Sequence, residues 1–461
     1  MLKRTSIPVL QAVPNGQQFV MYGDSCSGVP GALHEGTFRQ VNAVIRALEH
    51  APQFICFTGD EIMGLTSDAE ILRRQWDHFY QREMNWLDRN AIPLYHTTGN
   101  HTVYDSASED IFREVMAHLP QNGPADQRSL SYFVRRGDLL MIFVNTLWSH
   151  TGGEGTVETE WLESTLTHHA DAEHKLVFGH HPVWVVNGYA GDYQRNIEFH
   201  TGRRFWDILV QQGVLAYVCS HILAYDVQVH DGVLQICSAG AGTAHRMPES
   251  VEYLHVIQAS LDEWGLCYQV LDRAGAVREW LSWEVPLPPS ARWTNFDSQS
   301  ARALPSDCLQ NVDRATMVVW EMVGQLNPVE NRQPITLLCA HAEGRALPAL
   351  WLGVSGVRNQ LTLLLRPQAD RSPYRWQGPM LPTQQPFRVQ FGIHSGMGPG
   401  GFLWRWQDDD PWSSMIGASA WGAERLRWSH EWTSGDDEGT WATPLSLRWH
   451  HQSHDLSDHL P

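Results

Sequence analysis

The sequence predicts an α/β domain followed by an all-β sandwich, and three observations carry that expectation. Over roughly the first 285 residues, short apolar runs alternate with stretches of helical periodicity, the pattern of layered α/β proteins. After Trp283 the chain passes through a proline-rich stretch, Glu284 to Ser290, and alternating strand-like runs replace the helical pattern. At 461 residues the chain also exceeds what one hydrophobic core usually organises. The expected division is residues 1–285, a linker at 286–291, and a second domain at 292–461.

Taken in order, Phe19–Tyr22 is an apolar strand running into Gly23-Asp24. A helix follows over about 38–48, with Val41, Val44, Ile45 and Leu48 on one face. Phe54–Thr58 is a second strand, ending in Gly59-Asp60. A long helical region from Ser67 to Arg89 leads to the strand Ile92–Thr97 and then to Gly99-Asn100-His101. Ser131–Val134 and Leu139–Val144 read as paired strands. Lys175–Phe178 ends in Gly179-His180-His181-Pro182, and Val214–Cys219 ends in Ser220-His221. Five apolar strands therefore each stop at a polar cluster rich in Asp, Asn or His. Ligands of open α/β sheets sit beyond the carboxyl ends of the strands, so these clusters are expected to converge on one site.

The formal charge of −18 disfavours a nucleic-acid polymer or an anionic membrane as partner. No run of 18 or more apolar residues is present, so no membrane span is expected. The N-terminus has no sustained apolar segment of the secretory type. Seven scattered cysteines (26, 56, 219, 237, 267, 308, 339) fit reduced thiols and a cytoplasmic protein.

Singly, each polar cluster reads as a cap or a satisfied structural residue. Together, Asp24, Asp60, Asn100, His180, His181 and His221 supply carboxylate, amide oxygen and imidazole, a set suited to Mn, Fe or Zn. A two-metal hydrolase needs this mixture: a carboxylate to bridge the ions, neutral ligands to keep them electrophilic, and open positions for water and substrate.

The order Asp24, Gly59-Asp60, Gly99-Asn100-His101, Gly179-His180 and Cys219-Ser220-His221 resembles the calcineurin-like metallophosphoesterases over about residues 18–275. Gly99-Asn100-His101 is the most specific of these motifs. Gly179–Trp184, Ala216–His221 and Ser238–Gly242 look like the purple acid phosphatase branch. The resemblance implies a four-layer α/β/β/α sandwich that hydrolyses a phosphate mono- or diester of a small substrate, through attack by a metal-bound hydroxide. It implies that Asp60 bridges the ions and that Asn100, His180 and His221 complete one site with it. Asp24 would serve the other ion, and His101 would contact the phosphate and stabilise the leaving oxygen. His181 stands where an aromatic residue often follows the ligand His; it would orient substrate or support the site from behind. His245 and Arg246, just after an expected strand, are further candidates for substrate binding.

The departures concern the Asp24 half. Cys26 replaces the His of the usual Asp-x-His, Leu223 replaces the last His of Gly-His-x-His, and Met63 replaces the tyrosine of purple acid phosphatases. Three readings stay open. Cys26 ligates as a thiolate, favouring zinc or iron. Or His34, Asp226 or His245 substitutes. Or only one metal binds, and the protein is a mononuclear or catalytically silent member acting as a binding or scaffold module.

In the second domain, Pro386–His394 with the glycine-rich stretch 396–401 and Trp404-Arg405-Trp406 resembles strands of concanavalin-like jelly rolls. Trp404, Trp406, Trp412 and Trp421 form either a sugar platform or part of the sandwich core. Asp408–Asp410 is either a calcium site or a solvated acidic turn. The domain is also a candidate surface for a homo-oligomer.

Overall fold

The computed structural model describes residues 16–148, 155–189, 195–243, 252–262, 265–283, 293–298, 302–303, 317–326, 334–344, 346–355, 358–366, 368, 371–417, 419, 422, 431–435 and 445–452. The chain separates into two compact units. The first comprises Met1–Val227, Gly232–Glu284 and Leu456–Pro461; the second comprises Gln228–Asp231 and Val285–Asp455. The proline-rich linker lies outside the described residues, as do His245, Arg246 and Trp421.

Strands β1 (Gln17–Tyr22), β2 (Phe54–Phe57) and β3 (Leu94–His96) of the first unit run parallel, Val20 opposite Ile55 and Ile55 opposite Leu94. A second sheet begins with the hairpin β4 (Tyr132–Arg136) and β5 (Leu139–Phe143), followed by β6 (His174–Phe178), β7 (Ala216–Cys219), β8 (Tyr225–His230) and β9 (Val233–Ser238). In that sheet β5, β6, β7 and β9 are mutually parallel, with spatial order β4-β5-β6-β7-β9-β8. The antiparallel strands β10 (His255–Asp262), β11 (Gly265–Asp272) and β12 (Val277–Trp283) complete the first sheet beside β1. Strands β1, β2, β5, β7 and β9 are buried almost throughout, which is why they read as continuous apolar runs rather than alternating ones.

The two sheets face each other through aromatic side chains: Tyr95 of β3 lies 5.6 Å from Phe143 of β5. Helices cover the outer faces. On one side α1 (Leu33–Ile45) sets Phe38 against Tyr22 and Phe57, and α2 (Ala69–His78) packs with α3 (Ser106–Val115). On the other, α4 (Thr159–His168) packs with α5 (Phe199–Gln211), whose Phe205 meets Tyr217 of β7 edge-on at 5.0 Å. The unit is the α/β/β/α sandwich the sequence implied.

Two helices differ from expectation. The first starts at Leu33 and ends at Ile45, short of Leu48. The region 67–89 is not one helix: α2, capped by Asp68, gives way to a π-helical turn at Phe79–Glu83. Wide π turns insert a residue into the ladder and occur often near functional sites.

The second unit is all-β. One sheet orders Thr294–Ser298, Leu445–Gln452, Met317–Gln325, Pro386–His394, Phe402–Arg405 and Ser413–Ser414; the other has seven strands around Ile335–His341, Leu350–Ser355 and Gln360–Leu365. Trp320, Trp376, Trp432 and Phe391 are buried in its core, and Trp404 and Trp406 pack against that core. Among the described residues no helix is long and apolar enough to cross a membrane.

Candidate metal centre

Parallel β1, β2 and β3 in one sheet and parallel β6 and β7 in the other release their chains at one end of the sandwich. The loops there carry Asp24, Asp60, Asn100, His180 and His221. Three of these turns are backbone-strained: Asp24 (φ 63°), Asp60 (φ 58°) and His221 (φ 66°) all adopt left-handed conformations, as does Cys26 (φ 40°). Non-glycine residues hold such conformations at a cost of about 1–3 kcal/mol each, and do so mostly at functional sites. Here the strain aims the side chain of each residue at its neighbours across the sheet ends.

The closest convergence is around Nε2 of His180. Asp60 Oδ2, Asn100 Oδ1 and His221 Nδ1 each lie 3.2 Å from it. Nδ1 of His180 donates to the Thr58 carbonyl at 2.8 Å, which commits the neutral ring's proton there and leaves Nε2 a lone pair. A lone pair, a carboxylate oxygen and an amide oxygen then meet with no hydrogen between them. Such a cluster is repulsive unless a cation sits inside it, and a spacing of 3.2 Å is near the roughly 3.4 Å edge of a tetrahedral site with bonds of about 2.1 Å. Burial opposes charge on His180, but Asp60 beside it lifts its pKa to about 10, so without a metal a proton takes the cation's place. These donors fit a first-row transition metal.

Two glycines permit the approach. A Cβ on Gly99 would stand 2.1 Å from Asp60 Oδ1, and one on Gly59 (φ 92°) would stand 2.7 Å from His180 Nδ1. Asp60 is further held through Oδ1 by the His101 amide at 2.8 Å. Burial raises its pKa, but His180 and His101 outweigh that and leave it a carboxylate. His101 donates from Nδ1 to the Met63 carbonyl at 2.7 Å, which turns Nε2 toward the centre, 4.0 Å from Asp60 Oδ2.

Asp24 joins the same cluster. Its Oδ2 accepts the His221 amide at 2.9 Å, and Asp24, Asp60 and His180 bring ligand atoms within 4.8 Å of one another. Burial raises the Asp24 pKa, His180 counters it, and the Asp60 charge adds to the rise. Cys26 forms a comparable group with Asp60 and His101. Burial, then Asp60 and Asp24, hold its thiol well above the ordinary range. Of the substitutes considered for the missing ligands, His34 contacts the Cys26 carbonyl at 3.1 Å, and Asp226 accepts the Asn187 backbone and side-chain amides at 3.1 and 3.0 Å. Both are placed for structural work.

Some neighbours carried no sequence signal. Arg195, from the loop before α5, reaches His221 Nε2 with Nη1 at 3.3 Å. A guanidinium only donates, so in this contact the His221 proton sits on Nδ1. A cation on Nδ1 requires that proton to move to Nε2 and Arg195 to turn away. Beneath the site, Glu61 contacts His96 Nδ1 at 2.8 Å, and Tyr80 contacts His96 Nε2 at 3.1 Å. His181 packs its ring 4.2 Å from that of His221.

Residues 19–225 match the family model of calcineurin-like phosphoesterases. Solved structures similar to this chain include a purple acid phosphatase from yellow lupin (Lupinus luteus) seeds, at 16% identity and a TM-score of 0.43, covering 58% of this chain and 53% of that one. A dimetal phosphatase from Danio rerio is 15% identical with a TM-score of 0.40, covering 56% and 96%. GAP50, the anchor in the inner membrane complex of Plasmodium, is 14% identical with a TM-score of 0.39, covering 58% and 88%. The comparison with curated proteins finds no match.

Proposed function

We propose that the first unit is a metal-dependent phosphoesterase that hydrolyses a phosphate mono- or diester of a small substrate, using Mn, Fe or Zn held by Asp60, Asn100, His180 and His221. The observation that carries this reading is the convergence of Asp60 Oδ2, Asn100 Oδ1 and His221 Nδ1 on His180 Nε2, each at 3.2 Å. When bound, the metal supplies a Lewis acid that ionises water near neutral pH and draws charge from the phosphoryl oxygens.

The chain's own residues supply position and protons. The Thr58 carbonyl fixes the His180 tautomer, and the His101 amide fixes Asp60. The Met63 carbonyl fixes His101 through Nδ1 and leaves Nε2 facing the centre, where a protonated ring would give its Nε2 proton to an alkoxide leaving group. Arg195 contacts the His221 ring at 3.3 Å, and once turned from it would offer its guanidinium to a phosphate bound at the centre. Leu223 favours a mononuclear form of the same reading: an aliphatic chain gives no ligand to the Asp24 half, and among the described residues a thiolate at Cys26 is the group placed to restore one.

The test is metal content per chain by inductively coupled plasma mass spectrometry, with hydrolysis of p-nitrophenyl phosphate and its bis ester. Asp60→Asn is expected to lose both metal and turnover. His101→Ala is expected to keep its metal and slow by about 10²–10⁴-fold. Full metal retention in Asp60→Asn would overturn the ligand assignment. A wild type that binds metal without hydrolysing any ester would instead favour a binding or scaffold role.

A further inference from the structure

We propose that His181 is a fifth ligand of the same centre, its Nε2 completing a three-imidazole face with His180 and His221. This rests on the metal-centre reading above and extends it to a residue whose place in the motif is usually aromatic.

Three observations carry it. First, ring nitrogens of His180, His181 and His221 lie within 4.8 Å of one another, and the ring centroids are separated by 4.9, 4.2 and 5.0 Å. Second, the orientation of His181 is fixed from behind. Its Nδ1 bonds Thr146 Oγ1 at 2.8 Å, its own amide donates to the same oxygen at 3.2 Å, and the Tyr217 hydroxyl donates to its carbonyl at 2.7 Å. A ligand imidazole is commonly anchored in this way through its other nitrogen. Third, Nε2 is fully buried and has no hydrogen-bond partner among the described residues. A buried polar atom left unpaired costs about 1–3 kcal/mol, and a residue kept only for packing would avoid that cost with an aromatic ring.

The burial also says what Nε2 meets. A substrate oxygen arrives from solvent and cannot reach an atom with no accessible surface. An ion lying among the three rings can. With Asp60 and Asn100 the donor set becomes three nitrogens and two oxygens, which moves preference from Mn toward Zn, Fe or Co.

The closing experiment reads coordination rather than turnover. X-ray absorption of the zinc-loaded wild type is expected to count three imidazoles. In cobalt-loaded protein, His181→Phe, which keeps the ring volume, is expected to intensify the d–d bands as five-coordination falls to four. Chelator competition should show zinc affinity lowered by about 10–100-fold. Two imidazoles in the wild type, or an unchanged cobalt spectrum and affinity in the variant, would overturn the assignment of His181 and leave the four-ligand centre standing. A wild type that takes up neither metal would overturn both.

Discussion

Gly99→Ala tests the centre without touching a ligand. The added Cβ would lie 2.1 Å from Asp60 Oδ1 and 2.5 Å from Asp60 N, where ordinary contact begins at 3.4 Å. The loop carrying Asn100 must therefore retreat by about 1 Å, or Asp60 must. Asp60 has little room, because Oδ1 is held by the His101 amide and Oδ2 faces His180. Either movement opens one edge of a cluster now 3.2 Å across. A misplacement of this size costs roughly 10²-fold in a positioned site, so metal affinity should drop by about that factor. Overpacking itself costs about 1–3 kcal/mol, which leaves the unit folded at room temperature. Chelator competition for affinity, read beside the thermal midpoint by circular dichroism, separates the two effects. A variant that is less stable yet binds metal as tightly as wild type would refute the claim that Asp60 and Asn100 share one ion.

Two other perturbations address the incomplete half and the fold. Cys26→Ser keeps the size of a side chain that is 2% exposed but removes the thiol. If Cys26 ligates, metal per chain should fall from near two toward one by mass spectrometry; an unchanged count near two would remove Cys26 from the ligand set. His255 is buried on Ser238 and the Tyr253 carbonyl, and burial lowers its pKa from 6.5 to about 4. The unfolded chain thus binds a proton that the folded chain refuses, so this stability is complete above pH 6.5 and is lost as pH falls toward 4. The full loss is about 3 kcal/mol at 1.36 kcal/mol per unit. Urea unfolding at pH 7 and pH 5 should show His255→Gln less acid-sensitive than wild type, and equal sensitivity would assign the acid limb to other groups.

How much of this was legible depended on what the chain encodes locally. Parallel strands buried on both faces leave apolar runs, and their ends are marked by a change to polar residues. Asp24, Asp60, Asn100, His180 and His221 could therefore be placed by counting along the chain. The direction of a ring could not. His181 follows His180 directly, and only folding shows that Thr146 and Tyr217 anchor it with its ring 4.2 Å from that of His221. Arg195 comes from a loop with no pattern to locate it, and the Glu61–His96–Tyr80 chain joins three segments brought together only by folding. The π turn at Phe79–Glu83 was invisible for another reason: its apolar spacing continues that of the helix before it. In the second unit the sandwich followed from alternating runs. Strands such as Tyr374–Met380, with mixed exposure and a proline inside, gave too weak a period to bound.

The charge at the sheet ends sets the order in which such a centre would fill. Asp24, Asp60 and Cys26 are all buried, and His180 and the half-buried His101 set Nε2 at 3.2 and 4.0 Å from Asp60 Oδ2. The half with Asn100, His180 and His221 offers neutral ligands plus one carboxylate, so an ion there would displace one proton from the His180 face and shift the His221 proton to Nε2 as Arg195 turns away. The Asp24 half offers a second carboxylate and a thiol that burial and two neighbouring carboxylates hold protonated. Its ion must expel the thiol proton, and the first ion's positive charge makes that easier by offsetting Asp60. Filling would therefore be sequential. On the proposed ligand set the complete half would load first, and the Cys26 half would follow only where a thiophilic metal such as zinc offsets the ionisation.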